Sequence, residues 1–272
     1  MSLGTLPPLR ESLAAHGLMA KKAFGQHFLL DLNITRKIVR LADLPAEARV
    51  IEVGPGPGGL TRALLETGAQ VTAVEKDTRF APLLEELAAA CDRLALVFDD
   101  ALDIDEAALT DGAPTHLVSN LPYNVGTPLL IKWLTGPWRP ASMTLMFQKE
   151  VADRIAAPAG SQAYGRLSVI AQATAVATPV MDVPARAFTP PPKVDSAVVR
   201  LVPRPDAPDP ARLQALQRVT AAAFGQRRKM LRSSLKILGG EALAERAGLD
   251  PQARAETIPV AGFLALADAL AP

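Results

Sequence analysis

The chain is poor in cysteine, in aromatic residues and in long apolar runs, and each shortage excludes a class of protein. Among 272 residues there is a single cysteine, Cys91, so no disulfide can form within the chain. Only 4% of the residues are aromatic, and the three histidines are too scattered to predict a metal site. No apolar run approaches the ~20 residues of a membrane span. Because Arg10 and Glu11 interrupt the N-terminal stretch, no secretory signal is predicted, and we expect a cytoplasmic protein without a membrane partner.

What the chain does contain is a strongly uneven distribution of charge. Its net charge is only +1. Residues 41–111 nevertheless hold fifteen acidic and five basic residues, whereas residues 211–240 hold seven basic residues and no acid. Residues 1–40 carry six basic and two acidic residues. Basic clusters towards both ends predict an anionic partner, of which nucleic acid is the leading candidate, although a solvated basic helix face is the simpler alternative.

An alternation of strands and helices predicts an α/β fold with a doubly wound, mostly parallel sheet. The predicted strands are 49–54, 70–75, 94–98, 115–119, 142–147 and 196–202. The predicted helices between them include 60–67, a segment ending near residue 90, and 129–134. Four prolines between positions 203 and 210 then predict a domain boundary, because proline interrupts helices and central strands. The predicted domains are 1–203, of which 1–40 form a basic arm, and a helical domain, 204–272, with helices at 211–224, 227–238, 241–247 and 260–270.

A glycine-rich loop follows the first strand of the predicted sheet. The spacing G-x-G-x-x-G is met by Gly54, Gly56 and Gly59. Glu75 ends the next strand, where a carboxylate can accept hydrogen bonds from ribose hydroxyls. A dinucleotide dehydrogenase has the same spacing, but Pro55 and Pro57 remove backbone N–H donors that a pyrophosphate would need. An adenosyl ligand without phosphate, such as S-adenosylmethionine, therefore fits this loop better.

The tetrapeptide Asn120-Leu121-Pro122-Tyr123 predicts a site for an exocyclic amine. The Asn120 side-chain oxygen and a backbone carbonyl at Leu121 or Pro122 can accept the two N–H groups of an adenine amine. Tyr123 can stack on the base, and Phe188 is a candidate for its other face. A turn without ligand and a core position for Phe188 are the simpler alternatives.

Several ordered motifs together resemble those of the bacterial small-subunit ribosomal RNA adenine dimethyltransferases, the KsgA/RsmA family. The resemblance extends from about residue 21 to the C-terminus. It rests on 24–29 (FGQHFL), 52–56 (EVGPG), 120–124 (NLPYN), 147–150 (FQKE), 163–168 (AYGRLS), 188–196 (FTPPPKVDS) and 224–229 (FGQRRK).

The resemblance implies a Rossmann-like class I methyltransferase domain with a small all-helical C-terminal domain. It implies methyl transfer from S-adenosyl-L-methionine to N6 of two adjacent adenosines in the 3′-terminal hairpin loop of 16S rRNA, giving N6,N6-dimethyladenosine in assembling 30S subunits. The residues that it assigns to the cofactor are His27, Leu29, Gly54, Gly56, Glu75, Asp100 and Asn120. The family usually has asparagine at position 27, so His27 is a departure. No metal is required, because the sulfonium methyl is already activated.

The basic clusters are then predicted to bind ribosomal RNA. The residues concerned are Lys21, Lys22, Lys193, Arg227, Arg228, Lys229 and Arg232. The predicted partner is the immature 30S subunit, and a monomer is expected because no feature of the sequence demands a dimer. Two alternatives stay open: a methyltransferase for DNA or another RNA, and a ribosome-assembly factor that has kept the fold and lost activity.

Overall fold

The computed structural model describes residues 4, 6–18, 27–226 and 228–270. Lys21, Lys22 and Arg227, three of the predicted RNA-binding residues, lie outside the described residues. In the described ranges no helix is both long and apolar enough to cross a bilayer. The chain divides into two compact units: Met1–Leu130, Pro140–Ala152 and Pro179–Leu201 form the first, and Ile131–Arg139, Asp153–Thr178 and Val202–Pro272 the second. The second unit thus contains segments from before the predicted domain boundary at residue 203 as well as the chain after it. The boundary itself stays a prediction.

The central feature is a seven-stranded sheet with the strand order β4-β3-β2-β5-β6-β9-β7. Its strands are β2 (Arg49–Val53), β3 (Gln70–Val74), β4 (Leu94–Val97), β5 (Thr115–Asn120), β6 (Ser142–Gln148), β7 (Ala175–Val183) and β9 (Ser196–Pro203). The five strands from β4 to β6 are parallel neighbours, and β9 pairs antiparallel with β6. β2, β5 and β6 are buried along almost their whole length, as is typical of strands that are covered on both faces. The predicted mostly parallel sheet is confirmed.

Helices and one small sheet accompany these strands. The helices of the N-terminal half are α1 (Leu9–Ala15), α2 (Leu32–Ala42), α3 (Gly59–Glu66), α4 (Ala81–Ala90) and α5 (Gly126–Thr135). The Asp31 carboxylate caps α2 by accepting from the Asn33 amide at 2.9 Å, which satisfies a donor that the first turn leaves free. β1 (Phe28–Leu29) pairs antiparallel with β8 (Phe188–Thr189), with Leu29 opposite Phe188. This pair brings the residue-27 segment next to the proline-rich segment that follows β8.

Five of the remaining helices supply a second core. They are α7 (Arg166–Thr174), α8 (Pro210–Gly225), α9 (Leu231–Ser234), α10 (Gly240–Arg246) and α11 (Val260–Leu270), and α6 (Lys149–Ala156) precedes them in the chain. Leu213, Leu216 and Val219 on α8 are buried with Phe263 and Leu266 on α11, at the spacing of helical faces. This core stabilises the unit that carries most of the basic C-terminal residues.

One predicted helix, 227–238, is only partly present. Within its described residues, Leu231–Ser234 is α-helical and Lys236–Leu238 forms a short 3-10 helix, whereas 228–230 are not helical. The backbone amides of Leu231 and Arg232 donate to the carbonyls of Ala253 and Pro251, at 2.8 and 2.9 Å, instead of continuing a helix from α8. Arg228 and Lys229 therefore lie in a connecting segment, and a charge pattern could not reveal this pairing with residues twenty positions away.

Candidate active site

A pocket of about 700 Å³ opens at the carboxyl ends of β2, β3 and β5. This edge is where parallel α/β sheets bind ligands, because the loops that follow the strands leave a crevice there. The first compact unit supplies all of its described lining. The predicted site residues that line it are His27, Leu29, Gly54, Gly56, Glu75, Asn120, Leu121, Pro122 and Tyr123. The structure thus brings the glycine loop and the tetrapeptide into one cavity, although some 65 residues separate them in the chain.

Close approach explains two of the glycines. Gly54 has a φ of +69°, and a Cβ there would lie 3.3 Å from Cδ of Pro122. A Cβ at Gly59 would lie 2.9 Å from the Leu29 carbonyl oxygen, closer than real Cβ atoms come. Only glycine lets the loop after β2 lie against both the tetrapeptide and the β1 segment. The walls of the pocket are therefore in direct contact with each other.

Glu75 is fixed from both sides by backbone amides. Its Oε2 accepts from the Gly56 N–H at 3.0 Å, and its Oε1 accepts from the Asp77 N–H at 2.8 Å. The side chain is buried, and this burial raises its pKa although the amide donors favour the charged form. Each carboxylate oxygen has a second lone pair, so the group can still accept from two hydroxyls of a ligand.

Glu52 lines the same pocket and was not among the predicted site residues. Its side chain is only 1% exposed. Its Oε2 makes no hydrogen bond within the described part of the chain, and burial raises its pKa to about 8. A buried polar atom without a partner is rare, and because Glu52 lines the pocket, a bound ligand can complete its bonding. The signal was present in the sequence, since Glu52 is an acid between the apolar residues Ile51 and Val53 of β2.

The tetrapeptide begins at the last residue of β5. Asn120 pairs in register with Met146 of β6, which fixes its backbone, and its side chain is half-buried. Leu121 is buried, whereas the Tyr123 ring is partly exposed, with its hydroxyl 2.8 Å from the Ser196 Oγ. Burial raises the pKa of Tyr123, so its hydroxyl is neutral at physiological pH. The segment therefore presents an amide, carbonyls and an uncharged aromatic ring to one cavity.

His27 occupies the position where the sequence departs from the usual asparagine. Its Nδ1 lies 2.7 Å from the Pro190 carbonyl oxygen. Since a carbonyl only accepts, Nδ1 carries the proton in this bond. The imidazole stacks on the Tyr123 ring, with 6.1 Å between the centroids and 29° between the planes. The side chain thus belongs to the aromatic wall of the pocket and does not point away to solvent.

Two predicted site residues are not brought into this cavity. Asp100 is absent from the described lining; its Oδ2 lies 2.5 Å from Nζ of Lys76, which does line the pocket. Phe188 is 3% exposed and packs in the core opposite Leu29, and it is absent from the described lining of the cavity. Residue type alone could not distinguish a core ring from a pocket ring at position 188, because both are shielded from water.

The predicted RNA-binding side chains that the structure describes are exposed. These residues are Lys193, Arg228, Lys229 and Arg232. Arg212, in the same acid-free stretch, is instead paired through two hydrogen bonds of 2.7 Å with Asp268 on α11. No ion pair joins Arg228, Lys229 or Arg232 to an acid within the ranges that the structure describes, so their charge is available to an anionic partner.

Known proteins resemble this chain over nearly its full length. The family model described as "Ribosomal RNA adenine dimethylase" matches residues 17–272. A protein named "Ribosomal RNA small subunit methyltransferase A" from Phenylobacterium zucineum is 78% identical over 269 residues, 99% of this chain and 94% of the relative. Its namesake from Caulobacter vibrioides is 69% identical over 252 residues, 92% of this chain and 97% of that one.

Solved structures agree on the fold. The 23S rRNA methyltransferase ErmE is 27% identical with a TM-score of 0.69, covering 89% of this chain and 99% of its own. A dimethyladenosine transferase from Plasmodium falciparum, 24% identical, reaches a TM-score of 0.72 over 88% of this chain and 96% of its own. The predicted Rossmann-like class I methyltransferase fold with a helical C-terminal region is confirmed.

Proposed function

Because the chain belongs to the ribosomal RNA adenine dimethylase family, we propose that it dimethylates N6 of two adjacent adenosines in the 3′-terminal hairpin loop of 16S rRNA. It is an S-adenosylmethionine-dependent adenine dimethyltransferase of small-subunit ribosomal RNA. The two adjacent target positions, the assembling 30S subunit as substrate and the roles of individual residues are the proposed part. The same proposal includes a monomeric enzyme that acts in the cytoplasm.

One observation carries the assignment of roles. Asn120 and Tyr123 line the same cavity as Glu75 and Gly54. An amine and a ribosyl cofactor that bind in one cavity are held close to each other, which favours transfer of the cofactor's methyl group to the amine. The contact of the glycine loop with Pro122 supports a reaction at the junction of the two walls.

The residues present fit the cofactor. Glu75 offers two acceptors for the ribose hydroxyls, and the buried Glu52 carboxyl, whose Oε2 makes no hydrogen bond within the described residues, lies where a cationic end of the molecule would favour its ionised form. The bound cofactor supplies a methyl group on a sulfonium, which is already activated for transfer. The residues of the chain are therefore required for binding and orientation, and no side-chain nucleophile is required.

At the acceptor side, Asn120 accepts one N6–H and the carbonyl of Leu121 or Pro122 accepts the other. This draws the amine lone pair away from conjugation with the ring and towards the methyl group. Tyr123 stacks on the adenine. A base in a hairpin loop is already partly unstacked, so turning it into the pocket costs less than in a duplex. The proton leaves after transfer, from a strongly acidic ammonium.

RNA binding is proposed for the exposed cations Lys193, Arg228, Lys229 and Arg232, together with Lys21, Lys22 and Arg227. Contacts of this kind go to phosphates, which fix the position of the RNA without reading its sequence. The domain boundary near residue 203 is retained as a proposal for the limit of the catalytic domain.

The test is incubation of 30S subunits that lack the modification with labelled cofactor, followed by nucleoside analysis. Label is expected in N6,N6-dimethyladenosine, and primer extension is expected to stop at the 3′-terminal hairpin. Naked 16S rRNA and duplex DNA serve as parallel substrates, and Asn120→Ala, expected to transfer about 10²-fold more slowly, serves as the defective variant. Absence of dimethyladenosine, or equal labelling of DNA, contradicts the proposal.

A further inference from the structure

The aromatic wall of the pocket consists of two rings held by one segment of the chain. His27 and Tyr123 stack on each other, and both line the cavity. The bond from His27 Nδ1 goes to the carbonyl of Pro190, and the Tyr123 hydroxyl lies 2.8 Å from Ser196 Oγ. Residues 190–196, which we call the bracket, therefore contact both rings at their polar ends.

The bracket is fixed at both of its ends. At its N-terminal end, the bracket follows β8, which pairs with β1. Thr189 lies opposite Phe28 in this pair, and Pro190 is the next residue. After it, Ser196 begins β9, lies opposite Gln148 of β6 and is fully buried. An atom held in this way can determine the orientation of a side chain that bonds to it.

Asp195 adds two more hydrogen bonds next to Ser196. Its Oδ1 accepts from the Ala185 N–H at 2.8 Å, and its carbonyl accepts from the Lys149 N–H at 2.9 Å. Three consecutive prolines, 190–192, further limit the backbone of the bracket, since each fixes φ. The polar end of each ring is therefore tied to backbone that has little freedom to move.

We propose that Ser196 is a positioning residue for methyl transfer: its hydroxyl holds the Tyr123 ring in the orientation in which the target base stacks. The Pro190 carbonyl does the same for His27, which covers one side of Tyr123. This inference rests on the proposed function, because it concerns the base-stacking role given to Tyr123. Without the bond to Ser196, the phenol can turn about its side-chain torsions, and a base stacked on it no longer has one position relative to the methyl donor.

A purely structural role makes a different prediction. If Ser196 only satisfied a buried hydroxyl, its loss would lower the stability of the fold and leave the transfer rate of the folded enzyme unchanged. A positioning role lowers the rate of transfer at saturating substrate, with cofactor affinity unaffected. Single-turnover kinetics separates these cases, because the chemical step is measured without product release.

The experiment compares Ser196→Ala, Tyr123→Phe and the double variant on unmethylated 30S subunits. Each single variant removes one partner of the same hydrogen bond and is expected to slow single-turnover transfer about five- to tenfold. The double variant is expected to be no slower than either single variant, because the shared bond can be lost only once. The dissociation constant for the cofactor is expected to stay within twofold of wild type.

A second measurement does not depend on activity. The chain contains only two tyrosines, Tyr123 and Tyr164, so ring-labelled tyrosine gives NMR spectra that Tyr123→Phe assigns directly. Ser196→Ala is expected to shift and broaden the Tyr123 ring signals and to leave those of Tyr164, bonded to the Ile258 carbonyl, unchanged.

The positioning role would be overturned if the double variant slowed transfer by the product of the two single-variant effects. It would also be overturned if Ser196→Ala transferred at the wild-type rate. Tyr123 ring signals that are unchanged in Ser196→Ala would overturn it as well. These outcomes differ from failure of the proposed function, in which the wild-type protein itself transfers no methyl group to ribosomal adenine, and which would overturn both proposals.

Discussion

The Gly56 backbone N–H donates to Oε2 of Glu75 at 3.0 Å, so the glycine loop and the carboxylate at the end of β3 hold each other in place. The Asp77 N–H fixes the second oxygen at 2.8 Å. This arrangement orients the two oxygens proposed to accept from the ribose before any ligand arrives, so binding does not have to order the side chain. Several measurable consequences depend on this pocket and its surroundings.

Substituting Glu75 by glutamine is expected to weaken S-adenosylmethionine binding by about 10- to 100-fold. The glutamine amide has only one acceptor oxygen. Its NH₂ group is a donor and would face the backbone N–H of Gly56 or Asp77, which is also a donor. One charge-assisted hydrogen bond worth ~1.5–3 kcal/mol is therefore lost. Isothermal titration calorimetry measures the change. The matched control is Glu85→Gln, at an exposed position on α4. Equal affinities of Glu75→Gln and the control would contradict the assignment.

Gly54→Ala is expected to reduce cofactor affinity, because the new methyl group would press on Pro122 at 3.3 Å and separate the two walls of the pocket. The positive φ at Gly54 also adds strain of ~1 kcal/mol. Gly68→Ala isolates that strain, since Gly68 has a φ of +88° and no neighbour within 4 Å of the added atom. Loss of stability is expected for both variants, and loss of cofactor binding for Gly54→Ala alone. Cofactor binding by Gly54→Ala equal to that of Gly68→Ala would show that the proximity of Pro122 does not matter.

Glu52 makes stability depend on pH. Burial raises its folded-state pKa from 4.5 to about 8, so the folded protein holds the proton more tightly than the unfolded chain does. Between about pH 4.5 and pH 8 the free energy of unfolding therefore falls as pH rises, by up to ~1.4 kcal/mol per unit from this group. Glu52→Gln has nearly the same shape and does not titrate.

Urea unfolding at pH 5 and pH 8 is the measurement for Glu52. The free energy of unfolding of Glu52→Gln relative to wild type is expected to increase between these two pH values. Glu85→Gln again provides the control, and its difference from wild type is expected to stay nearly constant. A constant difference for Glu52→Gln as well would mean that Glu52 ionises as freely in the folded protein as in the unfolded chain.

Reversing Arg228 and Lys229 to glutamate is expected to weaken binding to 30S subunits and to leave cofactor binding unchanged. The salt dependence of binding should also become shallower, by about 0.7–0.9 in the logarithmic slope for each phosphate that is no longer neutralised. Lys37→Glu with Arg40→Glu makes the same change of net charge at exposed positions on α2. Equal weakening by the two pairs would mean that overall charge, and not this segment, determines affinity.

Local sequence patterns predicted much of the first unit correctly. Segments rich in valine and isoleucine, such as 49–54, identified buried parallel strands, and the turn residues after them identified the loops. Glycines and a following acid identified residues that line one pocket, because close backbone approach and hydroxyl binding each require a particular residue type. The predicted helix at 227–238, which is only partly present, shows the limit of this reasoning, since the Leu231 amide bonds to Ala253 and not to the preceding turn.

The sequence by itself determined most strands of the parallel sheet, the glycine loop and the tetrapeptide proposed to bind the amine, because these depend on neighbouring residues. Only the tertiary structure decided which side chains share a cavity. It paired Asp100 with Lys76, packed Phe188 in the core, joined Arg212 to Asp268 and set Ser196 against Tyr123. Each of these depends on distance and burial between residues far apart in the chain. Residue type alone fixes neither quantity.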